Sequence, residues 1–399
     1  MPKNSFRTHH TPQSASSHKD FLPHPETGPR ILFFSGGTAL RELSQELIGH
    51  THNSVHIITS FDSGGSSAVL RKAFHMPAIG DIRNRLMALA DANVPGIEQT
   101  ITLFGHRFPK EAELWALSDE LGQLCSGTHP LIADIPAAQK NSIRHFLCRF
   151  YDLMPEGFDL RGASIGNLIL AAGYLEHRRC LGPVIELFSK LIHARGTVCP
   201  VFDGDLHLAA QLENGETLCG QHKITGKESP APDSPICQLY LTSCLDSLET
   251  HPARAAQSAL SAIAEADLIC FPMGSFYSSV IANLLPAGIG RAVAQAHCPK
   301  IFVPNLGFDP ESFHLSLSEQ VLALRHYLLK DCPFPCSPRQ LVSGVLFDSV
   351  NESYSGDLSL HQLQQLDLDL YDTRLTASPN SSRISAQILA QKLMTLSGV

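Results

Sequence analysis

Charge is scarce in this chain of 399 residues: Asp, Glu, Lys and Arg together make up 17%, and 38 acids against 30 Lys and Arg leave a net charge of −8. That balance argues against a broad basic footprint for nucleic acid or an anionic membrane surface, so any anion site is local. No run of eighteen apolar residues occurs, and no membrane-spanning helix is expected. The first thirty residues, rich in His, Ser, Pro and Thr, lack the apolar stretch of a signal peptide and read as a disordered polar tail. The eleven Cys are odd in number and fall singly apart from Cys332 and Cys336, which is no disulfide framework; free thiols in a reducing cytoplasm are the expectation. The twenty His show no metal-ligand spacing, so no zinc site is expected, nor a flavin or haem. What is present is an ordinary globular composition, 43% hydrophobic. A chain of this length buries about three quarters of its unfolded surface in two to three domains or one enlarged α/β domain.

Order is expected from Ile31. Ile31, Leu32, Phe33 and Phe34 form a short apolar run, stopped by Ser35-Gly36-Gly37 and followed by Leu40, Leu43 and Leu47 at helical spacing. The same sequence of strand, glycine loop and helix recurs at 55–59 and at 268–271, and 301–303 supplies one more strand. Strands alternating with helices predict an α/β fold, a parallel sheet with helices on both faces and ligand-binding loops along one edge. This main domain is placed at 31–330. A helical insert is expected at about 112–150. Alternating Leu206, Leu208, Ala210 and Leu212 before Asn214-Gly215 signal a hairpin, which places a small antiparallel insert at about 197–245. Residues 331–399 read as an extension packed on the same domain, ending in a helix near 384–396.

Five loops carry the residues suited to chemistry. Gly36, Gly37 and Thr38 join a strand to a helix, where backbone amides and the helix dipole favour phosphate; a tight turn without ligand is the alternative. It is no Walker loop, because no Gly-Lys-Ser or Gly-Lys-Thr follows, and the third glycine of a dinucleotide fingerprint is missing. Asp62-Ser63-Gly64-Gly65-Ser66-Ser67 joins an acid to two glycines and three hydroxyls, with Arg71 a turn later to pair with phosphate; a simple helix cap is the alternative. Asp62 at a strand end can accept a ribose hydroxyl or hold Mg²⁺. Gly80-Asp81-Ile82-Arg83-Asn84 sets an acid, a base and an amide at a helix start, and Gly166-Asn167 opens another helix. Gly274-Ser275-Phe276-Tyr277-Ser278-Ser279 offers hydroxyls, amides and an aromatic face. No Gly-x-Ser-x-Gly elbow surrounds Ser275, so nucleophilic catalysis finds little support.

Taken in order, these loops together with Gly36-Gly37-Thr38-Ala39-Leu40 and Asn305 resemble the CofD/YvcK family, which includes 2-phospho-L-lactate transferase and a gluconeogenesis factor that binds UDP-sugars. The resemblance runs from about residue 31 to 305. Gly274-Ser275 and the stretch from Arg195-Gly196-Thr197 to Asn214-Gly215-Glu216 are similar to the YvcK branch. It implies a Rossmann-like three-layer fold, a homodimer, and a nucleotide, nucleotide sugar or phosphorylated small molecule as ligand. The departures are Ser63 where the family carries a second acid, Ala68 for a glycine, Ala163 for a His, and Met273 for a glycine.

The first functional reading is a transferase of a phosphate-linked group. Gly36, Gly65 and Gly274 would cradle the donor, Arg71 and Arg83 would hold phosphate, and Asp62 and Asp81 would act as catalytic acids, Asp62 with Mg²⁺. The alternative is a non-catalytic UDP-sugar-binding regulator, which the missing second acid favours. Hydride chemistry on NAD is disfavoured by the incomplete glycine fingerprint.

Overall fold

The computed structural model describes residues 24–398 apart from 227–229, 231, 352–353, 355–356, 359 and 379–380, so most of the expected polar tail lies outside the described residues. Ten strands are present among the described residues: β1 (Ile31–Ser35), β2 (Val55–Ile58), β3 (Thr197–Pro200), β4 (His207–Leu212), β5 (Thr217–Cys219), β6 (Ile236–Thr242), β7 (Leu268–Phe271), β8 (Lys300–Phe302), β9 (Gly344–Phe347) and β10 (Asp369–Asp372). Seven of them form one sheet in the order β10-β9-β8-β7-β1-β2-β3, with every neighbouring pair parallel.

The period of two explains why β1 is an interior strand, flanked by β7 and β2. Leu32 and Phe34 join one apolar cluster while Ile31 and Phe33 join another, and all four are fully buried, as a strand covered on both faces requires. Phe34 stacks on Phe271 of β7 with ring centroids 5.4 Å apart. Over the face of Ile31 and Phe33 lie α1 (Arg41–Leu47) and the last helix, Ala386–Leu396, whose Leu389 and Leu393 pack with Leu40, Leu43 and Leu47.

Between β2 and β3 the chain builds a helical layer from α2 (Gly65–Phe74), α3 (Gly80–Ala88), α4 (Ile97–Gly105), α5 (Leu114–Ser126), α6 (Pro130–Ala133), α7 (Ala137–Leu153), α8 (Ile165–Glu176) and α9 (Leu181–Leu191). Helix α8 is buried from Ile165 to Tyr174, so its side chains are nearly all apolar or small. The expected helical insert corresponds to α5, α6 and α7.

Two boundaries differ from the sequence reading. The antiparallel unit, ordered β5-β4-β6, does not start at 197: Thr197–Pro200 pairs in parallel with β2 as the edge of the main sheet, and antiparallel pairing begins at His207. The extension after residue 330 contributes β9 and β10, which continue the main sheet beyond β8. Both are short; β9 is fully buried, whereas β10 is only half-buried and lacks the continuous apolar run of an interior strand.

The topology fixes where a ligand belongs. From β1 the chain proceeds to β2 on one side, and from β7 it proceeds to β8 on the other, so the loops leaving β1 and β7 diverge and open a crevice between them. Because Phe271 is fully buried against Phe34 at this point, Phe271→Ala is expected to cost about 3–5 kcal/mol of unfolding free energy, measured by denaturant titration.

Candidate functional site

At that crevice lies a cleft of about 640 Å³. Its lining gathers Gly36, Gly37 and Thr38 after β1; Asp62, Gly64, Gly65, Ser66 and Ser67 after β2; Gly80, Asp81, Arg83 and Asn84 of α3; Asn167 of α8; and Ser275 and Ser279 after β7.

Close backbone approach explains the glycines. A Cβ on Gly37 would overlap the Asp81 carboxylate and stand 2.9 Å from the Asp81 Cα, and one on Gly36 would come within 2.7 Å of Ser279 Oγ. The β1 loop is therefore wedged between α3 and the segment after β7. Arg85, fully buried, donates to the Gly36 carbonyl at 3.0 Å and to Ser44 Oγ, which anchors the same turn from beneath. Burial draws the Arg85 pKa down to about 10, with the Asp81 charge opposing the shift.

The β2 loop is shaped by Asp62, whose Oδ1 accepts the Gly64 amide at 3.1 Å in an Asx turn. Gly65 then adopts φ +50°, the left-handed region that suits glycine, and starts α2 with its first turn facing the cleft. A Cβ on Gly80 would sit 2.7 Å from Ser67 Oγ and 3.8 Å from Asp62 Oδ2, so the acid of the β2 loop borders the first turn of α3.

Arg83 is 6% exposed. It donates to Ser164 Oγ and to Asn84 Oδ1, while its Nε has no hydrogen-bond partner among the described residues. Burial, then the neighbouring Arg107 charge, pull its pKa down to about 10, and Asp81 only partly offsets them. Asn167, almost fully buried, donates to Ser66 Oγ at 3.4 Å, and its Oδ1 is likewise without a partner among the described residues.

Several residues expected at the site stand behind it. Arg71 does not line the cleft: its guanidinium is engaged by Asp205 at 2.6 Å and by the carbonyls of Phe61, Asp62 and Leu206, so it braces the β2 loop against the antiparallel unit. Ser63 bonds His222 Nδ1 at 2.8 Å. Gly166 lies under Arg83, and a Cβ there would press to 2.7 Å on the Arg83 Cδ. Asn305 clamps Gly274 by accepting from its N–H at 2.9 Å and donating to its carbonyl at 2.6 Å. Tyr277 and Ser278 are buried, the Tyr277 hydroxyl donating to the Ile236 carbonyl, so no aromatic face is presented to the cleft.

Sequence reasoning missed three groups. Arg107, Lys110 and Arg161 form a cationic rim, placed by pairing of 106–108 with 162–165 through Phe108 N to Ala163 O and Ile165 N to His106 O, each 3.0 Å. Asp309 and Glu311 cap the helical turn Phe276–Val280: Asp309 accepts the Phe276 amide, and Glu311 accepts those of Tyr277 and Ser278 and the Ser278 hydroxyl. The signal was present as Asn305-x₃-Asp309-x-Glu311 after a strand, polar residues that must find partners once buried. The short helix Gln221–Ile224 adds Gln221 and His222, followed by Thr225.

A family model described as 2-phospho-L-lactate transferase CofD matches residues 31–384. The chain belongs to the CofD family. Among curated proteins it is 31% identical over 301 residues to the gluconeogenesis factor of Bacillus subtilis, covering 75% of each chain, and 30% identical over 276 residues to that of Halalkalibacterium halodurans, covering 69% of this chain and 66% of the other. A Nostoc relative, 30% identical, is matched over only 55% of its length. A crystallised Bacillus halodurans protein of the UPF0052 family shares the fold, with TM-score 0.66, 24% identity and coverage of 92% and 99% of the two chains. Among the described residues no helix is long and apolar enough to cross a membrane, and no group of three or more metal-ligating side chains occurs.

Burial, and next the neighbouring Asp309, raise the Glu311 pKa to about 7, against the pull of its hydrogen bonds from Ser278 and Tyr277. A carboxyl whose folded pKa is raised contributes stability that is complete below its unfolded pKa and is lost as pH rises through about 7. Wild type is accordingly expected to lose more stability than Glu311→Gln between acid and neutral pH, measured by denaturation across that window.

Proposed function

We propose that the cleft binds a nucleotide-linked phosphate ligand, a UDP-sugar or close analogue, and that the protein acts as a ligand-responsive regulatory factor. One observation carries the binding reading: glycine loops leaving β1 and β2 meet at the switch point beside Arg83, a buried cation with an unsatisfied Nε and a second guanidinium next to it. Two cations held close are stabilised by an anion between them, and glycine loops let phosphate oxygens reach backbone amides. The regulatory part rests on the names of the gluconeogenesis factors and on Ser63, which bonds His222 rather than supplying a second acid.

A transferase of phosphate-linked groups is the second reading, favoured by the family's description and by Asp62 and Asp81 on one lining. Mg²⁺ is commonly held by one or two carboxylates plus phosphate oxygens and water, so this donor set fits the ion without a third protein acid. Asp62 and Asp81 would hold it, and the ion would supply charge neutralisation at phosphate. Asp81, at the floor, would then also orient an acceptor hydroxyl.

Calorimetric titration with UDP-glucose is expected to give saturable binding that Arg83→Ala weakens about tenfold to a hundredfold, the loss of a charge-assisted hydrogen bond. Unchanged affinity in that variant would remove Arg83 from the site. Overnight incubation with UDP-glucose, Mg²⁺ and a screen of hydroxyl acceptors is expected to return the ligand intact. Product formation abolished by both Asp62→Asn and Asp81→Asn, with binding retained, would instead assign the transfer reaction.

A further inference from the structure

Gln221, His222 and Thr225, from the segment after β5, also line the cleft, and their chemistry differs from that of the cationic rim. Gln221 is 8% exposed, and its carboxamide makes no hydrogen bond to any described residue, the oxygen being wholly enclosed. A buried carboxamide without partners is a standing cost that a hydrogen-bonding ligand relieves, and no partner opposes rotation of the amide toward the cleft it lines. His222, the next residue, is set by Ser63. The His222 backbone N–H donates to Ser63 Oγ at 3.3 Å, so the hydroxyl proton of Ser63 is available to Nδ1 at 2.8 Å. That contact occupies Nδ1 and leaves Nε2 as the ring nitrogen not engaged by Ser63. Thr225 Oγ1 donates to the His222 carbonyl at 3.4 Å and keeps its acceptor lone pairs. The wall thus combines amide, imidazole and hydroxyl groups without a carboxylate or guanidinium, whereas Arg83, Arg107, Lys110 and Arg161 stand elsewhere on the lining.

We propose that Gln221, with Thr225, is the specificity-determining position for the distal, uncharged polyhydroxylated group of the ligand, so that the phosphates lie under the glycine loops and the sugar lies against 221–225. This rests on the reading of the cleft as a nucleotide-sugar site. Mixed donors and acceptors suit hydroxyl groups, each of which donates and accepts, and they are a poor match for a phosphate, which only accepts.

The test compares UDP with UDP-glucose by calorimetry on the full-length chain and on the near-isosteric variants Gln221→Met and Thr225→Val. Wild type is expected to bind UDP-glucose more tightly than UDP. Gln221→Met is expected to reduce UDP-glucose affinity about fivefold or more while leaving UDP affinity unchanged, with a smaller loss of the same kind in Thr225→Val. The proposal is overturned by a UDP-glucose to UDP ratio that survives both variants, or by equal losses for the two ligands. If UDP-glucose binds no more tightly than UDP to wild type, the sugar makes no use of this wall and the proposal fails while the binding reading stands. Binding of neither ligand overturns both.

Discussion

The fit of the Asp81 carboxylate against the Gly36-Gly37 backbone is the constraint around which the rest of the site is arranged. Contact at that distance leaves no room for a Cβ on Gly37, so the strand β1 has to end in a glycine pair. The same contact fixes the separation of β1 and α3, and through Ser279 it fixes the segment after β7. Arg85 completes the unit from below by holding the Gly36 carbonyl, and its burial is tolerated because Asp81 lies close enough to favour its charge. A single packing solution therefore sets three of the cleft's walls. Asn283 reinforces it by donating to the carbonyls of Ser35 and Ser279, joining the ends of β1 and the post-β7 turn.

Electrostatics are local, as the net charge of −8 requires. Cations are concentrated at the cleft by backbone pairing of two distant segments, not by a basic run in the sequence, and Arg83 feels Arg107 as a destabilising neighbour. On the far side of the same cleft, Asp309 and Glu311 take the amides at the start of the Phe276–Val280 turn. Those amides are consequently not available to a ligand, and the β7 loop contributes Ser275 and Ser279 in their place. In the proposed reading ligand phosphate is left to the β1 and β2 loops, where the helix start at Gly65 faces the cleft.

The central half of the fold was legible because its physics is local. Ile31 to Phe34 and Leu268 to Phe271 are short continuous apolar runs closed by glycine turns, the pattern of strands buried on both faces. Edge strands were not legible: β3 begins at the exposed Thr197 and ends at a proline, and β10 is half-buried, so both lack that signature. The glycine loops and the acids after them were readable as motifs, but the orientation of each side chain was not. Arg71 and Arg83 look alike in sequence, each on the helix that follows a glycine loop. They differ because Asp205, 134 residues away in the chain, captures Arg71, whereas Arg83 lies against the small residues Ser164 and Gly166 and lines the cleft with its Nε lacking a partner among the described residues. The rim of Arg107, Lys110 and Arg161 and the wall of Gln221 and Thr225 arise from tertiary pairing alone, and no spacing in the sequence announces them.

The structure gives Ser63 a defined task, linking the β2 loop to the antiparallel unit through His222. Loop, unit and cleft are thereby one mechanical assembly, with Arg71 and Asp205 forming the second tie between them. The most direct test of the account is a crystal structure of the complex with UDP-glucose and Mg²⁺. The account predicts diphosphate density over Gly36-Gly37 and Gly64-Gly65, within hydrogen-bonding reach of Arg83. Density for the diphosphate at any other place, such as the trench bordered by Gln257, Arg291 and His297 at the opposite edge of the sheet, would contradict it.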